Sequence, residues 1–245
     1  HLWFLDMDGE PAVLVQTPGG AQILIDGGSH PARLLSAIGE RLPFDDRQIE
    51  LWAITQPSFN RIQSGERLLD QYAVAQVLTN GQPILDPALS ALLERAGSVT
   101  ALTAGQTVTL SDGVTLEALH PAAVPGETDR MADGALVLRL TYGDVSLLLT
   151  GDLSADGQAA VIENGHGQPA TVLQAPAGGA ESSLLPDLIQ TTQPQAVIVQ
   201  SRREDANEPA PDTLELLDGI PVYTTGVGGV HLWTDGRRLW AEQES

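Results

Sequence analysis

Carboxylates, arginines and five scattered histidines are the residues of this sequence whose chemistry could build a site. The histidines stand at 1, 30, 120, 166 and 231, and no two of them have the spacing of a metal-ligand pair. Every basic residue is an arginine. With no lysine and no cysteine, Schiff-base chemistry, thiol nucleophiles, disulfides and thiolate metal sites are all excluded. Asp26, in Asp26-Gly27-Gly28, and Asp152, in Thr150-Gly151-Asp152, each follow an apolar run, where an Asp either caps a turn through its own backbone or offers a carboxylate to a cation. His120, ahead of Pro121 at a strand end, reads as a packed side chain, and His166 between two glycines as a loop residue. Gly226-Val227-Gly228-Gly229 lacks the following helix that a phosphate loop needs and reads as a turn. Gly178-Gly179-Ala180-Glu181-Ser182-Ser183 lacks the order of a nucleophile elbow.

The elements that must position these residues follow from hydrophobic period. Residues 12–28 and 135–152 each alternate, turn at glycine, continue as an apolar strand and exit at a Gly/Asp loop, which predicts two β-hairpins. Short apolar runs at Leu51–Thr55 and Val74–Thr79 are echoed about 120 residues later by Thr171–Ala175 and Ala196–Ser201, and the chain ends in strand-like runs at Pro221–Thr225, Val230–Thr234 and Arg238–Ala241. Helical spacing appears at Pro31–Arg41, Ser64–Tyr72, Pro87–Ala96, Ala155–Glu163, Ser183–Thr191 and Pro211–Leu217. Two such halves cover their apolar sheet faces by packing sheet to sheet with helices outside, so the expected fold is α/β, a four-layer αββα sandwich of two pseudo-repeated halves. Pro121–Met131 reads as a surface loop. Trp3, Trp52, Trp233 and Trp240 lie in strand-like runs and are expected in the core.

A length of 245 residues, 42% hydrophobic and 18% charged, suits one such domain over 1–245. The 32 acidic residues against 12 basic ones leave a formal charge of -20, which disfavours broad contact with a phosphate backbone but allows a local arginine patch. No apolar run approaches the roughly 20 residues of a membrane span. The first residue, His1, lies directly inside a strand-like run, which suggests a domain excised from a longer polypeptide.

The order Phe4-Leu5-Asp6, a hairpin closing on Leu24-Ile25-Asp26-Gly27-Gly28, a strand ending in Thr55, then Leu119-His120-Pro121 and Leu148-Leu149-Thr150-Gly151-Asp152, resembles the metallo-β-lactamase fold. Within it, the sequence is most similar to the C-terminal domain of ComEC-type DNA-uptake competence proteins, from Leu2 to about Leu239. The resemblance implies a His-X-His-X-Asp-His cluster after Thr55, holding zinc or manganese that activates a water. Here Gln56, Ser58, Asn60 and Arg61 stand in those ligand positions, Ala177 and Gly178 stand in the later His-His positions, and Asn207-Glu208-Pro209 stands in the Gly-His-Pro loop. Asp152 alone is retained at a family ligand position.

The resemblance therefore implies a degenerate domain with no catalytic residue and no metal cofactor. Its role would be structural or ligand-binding in a ComEC-like competence protein, at the extracytoplasmic side of a bacterial membrane, with the rest of the membrane-embedded parent as partner. DNA contact would be restricted to a local arginine crevice. If the fold is kept, Arg61 lies where a metal would sit, and Arg202 and Arg203 face the same crevice, so the three could bind an anion. Against this stands the expectation that Arg61 pairs with an acid such as Asp152 or Glu208. The alternative function is a metal-dependent phosphodiesterase or nuclease built on Asp152 with Asp26, Asp6 or Glu208, a set that would hold Mg or Ca weakly.

Overall fold

The computed structural model describes residues 1–127, 129–202 and 209–244. Arg203, Asn207 and Glu208 lie outside the described residues.

The first hairpin joins β2 (Ala12–Gln16) to β3 (Gln22–Asp26), and every residue of β3 is buried. From β3 the chain turns to parallel pairing through β4 (Gln48–Ala53), β5 (Ala73–Thr79) and β6 (Val99–Ala101). The second hairpin, β9 (Val137–Tyr142) and β10 (Val145–Leu149), repeats the scheme: antiparallel first, then parallel through β11 (Val172–Gln174), β12 (Ala196–Val199) and β13 (Val222–Thr224). The echo in the sequence is thus an echo in topology. Parallel pairing requires a crossover between strands, and the chain supplies helices there.

Those helices are α1 (Pro31–Arg41), α2 (Phe59–Ile62), α3 (Gly65–Gln71), α4 (Pro87–Ala96), α5 (Ala155–Glu163), α6 (Pro186–Thr192) and α7 (Pro211–Leu216). In α1, Pro31 occupies the first turn and Leu34 and Ile38, four apart, form the buried stripe. In α4 the Asp86 carboxylate accepts from the Ala88 and Leu89 N–H groups, and Gly97 at φ +90° ends the helix.

One sheet runs β15-β14-β1-β2-β3-β4-β5-β6, with β1 (Leu2–Phe4), β14 (Val230–Thr234) and β15 (Leu239–Gln243). The other runs β13-β12-β11-β10-β9-β8-β7, with β7 (Thr107–Thr109) and β8 (Thr115–His120). A central core, including Phe4, Ile25, Leu138 and Ile198, fills the space between the sheets. A second core packs the outer face of the first sheet on α1, α3 and α4 through residues such as Trp52, Leu34 and Leu92, and a third packs the second sheet on α5 and α6 through Leu173, Val161 and Leu188. The architecture is the expected αββα sandwich.

Four expectations need correction. The strands β6 and β7, three residues each, and the four-residue α2 were not legible as elements, because runs so short show no period. The second sheet begins at β7, ahead of the hairpin at 135–152. The last two strands return to the first sheet, where β14 pairs with β1. The tryptophans also divide: Trp52 is fully buried and Trp3 nearly so, but Trp240 is 40% exposed on the edge strand β15. No helix among the described residues is long and apolar enough to cross a membrane.

Candidate functional site

The C-terminal ends of the parallel strands of both sheets meet at one crevice of about 240 Å³, lined by Asn60, Arg61, Asp152, Gln174, Ala177 and Gln200 among others. Asp26 ends β3 in a left-handed conformation, φ +57°, which turns its carboxylate out of the strand direction and beneath the loop that follows β4. There the Thr55 N–H donates to Asp26 Oδ1 and the Thr55 hydroxyl to Oδ2, each at 2.8 Å. The short α2 brings Arg61 over the same carboxylate, and its Nη1 donates to Asp26 Oδ2 at 2.9 Å. Arg61 Nη2 makes an ion pair with Asp152, which follows β10. A guanidinium from the first half thus bridges a carboxylate of each half.

Burial decides the character of this cluster. Arg61 has no solvent exposure and Asp26 1%, whereas the Asp152 side chain keeps 37%. Burial pushes the Asp26 carboxyl above its ordinary range, and Arg61 and the two Thr55 hydrogen bonds oppose that without overcoming it. Burial also works against the Arg61 charge, but the Asp26 and Asp152 carboxylates outweigh it and hold the guanidinium above its usual value. With two carboxylates on one guanidinium, the cluster carries no surplus positive charge. Arg61 Nε is buried without a hydrogen-bond partner among the described residues.

The second half contributes amides. Gln174 Oε1 accepts from the Gly151 N–H at 3.1 Å, its Nε2 donates to Gln200 Oε1 at 2.5 Å, and Gln200 Nε2 donates to the Ala12 carbonyl at 3.2 Å. Ala177 and Gly178 line the crevice in successive left-handed conformations, φ +47° and +64°. A Cβ on Gly178 would stand 2.7 Å from the Gln200 carbonyl, so this tight turn presses backbone on backbone.

Arg61, Asp152 and Asn60 meet at the crevice with Ala177 and Gly178, and Asp26 lies beneath it. Gln56 is buried and turned away, donating to the Met131 carbonyl at 3.3 Å, and the Ser58 hydroxyl donates to Asn60 Oδ1 at 2.8 Å. Arg202 is exposed after β12, its stem packed on Gly9 at the crevice rim. Asp6 is not brought to the crevice. It pairs with Arg33 at 3.7 Å in a separate cleft between α1 and β15. Sequence reasoning misses Gln174 and Gln200; the one signal for them is that Gln174 ends β11 and Gln200 follows β12, both parallel strands that reach the same crevice.

As a metal site the donor set does not fit. Both carboxylates hold a guanidinium, the other side chains are amides of weak donor strength, and no cluster of three His, Cys, Asp or Glu among the described residues could hold an ion.

No family model and no curated protein matches the chain. Solved structures do. The metallo-β-lactamase fold protein YhfI from Bacillus subtilis is 13% identical with a TM-score of 0.61, over 98% of this chain and 99% of that one. CmlA, a diiron β-hydroxylase from Streptomyces venezuelae, is 19% identical with a TM-score of 0.56; the match takes in 90% of this chain but spans only 52% of CmlA. A diphosphatase of the PhnP family is 12% identical with a TM-score of 0.53, over 88% of this chain and 81% of that one. At such identities the likeness is one of fold, and the fold is that of the metallo-β-lactamases.

Proposed function

We propose that this is a metallo-β-lactamase-fold domain without hydrolytic turnover, in which the Arg61 guanidinium serves as the fixed internal cation of the crevice. The observation that carries the proposal is the fully buried Arg61 bridging Asp26 and Asp152 at the joint between the two halves. A bound metal and an obligatory guanidinium on the same two carboxylates would repel each other. In this reading the domain is a structural or ligand-binding part of a ComEC-like DNA-uptake protein, at the extracytoplasmic side of a bacterial membrane, and the rest of that protein is its partner. A formal charge of -20 and an Arg61 already paired argue against DNA as the main ligand.

The test is metal analysis of the protein after exposure to zinc and manganese, together with turnover of a general phosphodiester. Substoichiometric metal and no turnover are expected. Stoichiometric metal with turnover that Asp152→Ala abolishes would sink the proposal. It would establish instead the second reading, a metal-dependent hydrolase, which draws on the convergence of Asp26 and Asp152 on one point and on a fold shared with a diphosphatase.

A further inference from the structure

The two sheets have four edges, and three of them, β6, β7 and β13, are strands of only three residues. The fourth, β15, has five. Natural edges are blunted by shortness, proline, bulges or charge, because an open edge templates another strand. β15 has no proline and pairs with β14 without a bulge, in continuous register from Val230↔Gln243 to Thr234↔Leu239. Its outer face carries Trp240, 40% exposed.

Trp240 ends a row of neighbouring rings that crosses three strands: Trp3 stacks on His231 at 5.0 Å, His231 meets Trp233 tilted at 4.9 Å, and Trp233 stacks on Trp240 at 6.2 Å. No ring among the described residues stacks on its other face. Beside it, Arg237 and Arg238 make no ion pair among the described residues, whereas Arg33, Arg41, Arg61, Arg67, Arg95 and Arg130 each do. On the inner face, Leu239 and Ala241 line an open cleft of about 490 Å³ with Tyr223 of β13.

Backbone direction is fixed by the ladder. The Glu244 N–H donates to the Gly229 carbonyl at 2.8 Å. Antiparallel pairs alternate, so the backbone groups of Trp240 and Glu242 turn toward β14, and those of Leu239, Ala241 and Gln243 face outward. The segment Arg238-Leu239-Trp240-Ala241-Glu242 is its own complement when laid antiparallel on a second copy. Arg238 then faces Glu242, Leu239 faces Ala241, and Trp240 faces Trp240. The outward-facing Leu239 and Ala241 form the hydrogen-bonded pairs in this register.

We propose that β15 pairs with β15 of a second copy about a two-fold axis at Trp240, joining the two eight-stranded sheets into one. The contact is isologous and closes after two copies. The second copy's Leu239 and Ala241 extend the apolar lining of the inner cleft. A charge of -20 on each copy opposes any less specific approach.

The test is sedimentation equilibrium of the chain from about 1 µM to 1 mM, the span in which weak specific contacts associate. A monomer–dimer equilibrium is expected. Arg238→Glu should weaken it by about tenfold or more, and adding Glu242→Arg should restore most of the loss, as pair complementarity requires. Ala241→Pro, which removes only an outward N–H, should abolish the dimer while leaving the monomer folded. Because the chain has no cysteine, Trp240→Cys offers a direct check of register: across the axis the two Cα atoms would stand about 4.5 Å apart, within disulfide reach. Oxidation should link Trp240→Cys but not Arg238→Cys. A single monomeric species throughout would overturn the proposal, as would a dimer that neither Arg238→Glu nor Ala241→Pro affects.

Discussion

The crevice at the C-terminal strand ends and the free edge at β15 both bring arginine, carboxylate and strand backbone together, and they differ in where each group finds its complement. In the crevice every charge is answered from within the chain: Asp26 by Arg61 and Thr55, and Arg61 by Asp26 and Asp152. At the edge, the Asp235 carboxylate accepts the Arg238 N–H and lies near its charge, but the Arg238 guanidinium closes no ion pair and the outer face of Trp240 meets no ring among the described residues. The difference is one of solvent. A buried charge without a partner costs several kcal/mol, so the interior must be self-sufficient, whereas an exposed one can wait for water or for another molecule.

The comparison breaks most sharply at Arg61. Arg61→Ala leaves Asp26 buried with its main charge partner gone, and a loss of about 3–5 kcal/mol of stability is expected in urea unfolding at neutral pH. The carboxyl of Asp26 is then still more reluctant to ionise in the folded chain than in the unfolded one. The folded state holds the proton longer, so the deficit should shrink as pH falls toward the ordinary Asp range and grow as pH rises.

Thr55→Val removes one hydrogen bond to the same carboxylate and should cost about 2 kcal/mol by the same measurement. A value near zero would mean that the Thr55 N–H and Arg61 suffice.

His120 tests whether self-sufficiency extends beyond the crevice. Its Nε2 lies 2.7 Å from the Asp133 carbonyl and so carries the hydrogen, while Nδ1 is buried without a partner among the described residues. Burial pushes its pKa down despite Asp133. The unfolded chain therefore binds the proton first, and stability should fall as pH drops below about 6.5, by at most about 1.4 kcal/mol per pH unit, until the lowered folded value is reached. His120→Gln, which retains a donor for Asp133, should flatten that slope.

The smallest effect is expected at the edge. Ala241→Pro should shift monomer stability by no more than about 0.5 kcal/mol, because no bond to β14 is lost. A larger loss would show that Ala241 bonds inward.

The hairpins were legible because alternation survives in β2, β3, β9 and β10, and α1 and α4 because Leu34–Ile38 and Leu89–Leu93 keep a helical period beneath proline starts. The crevice was legible only in part. Arg61 stood out through the resemblance, and Asp152 was one acid expected to pair with it. Asp26 entered as a turn residue and a weak ligand, since nothing local says that a side chain 35 residues later will close on it. Gln174 and Gln200 look like any strand-end glutamine until the two halves are docked. Trp52 and Trp240 stand in similar apolar runs, and only the place of their strands in the sheet separates a core residue from an edge residue. That place is set by pairings such as β1 with β14, which no local pattern records.

The pairing of β1 with β14 also bears on how the chain acquires its shape. Leu2 lies opposite Leu232, so the first sheet cannot be completed from the first half alone. During folding the edge of β1 that faces away from β2 would stay unpaired until β14, from the far end of the domain, reaches it. Closing so long a loop costs only slowly growing entropy but puts this step late, as in other topologies rich in distant contacts. Truncations that stop short of β14 should therefore yield aggregation-prone species rather than a smaller folded unit.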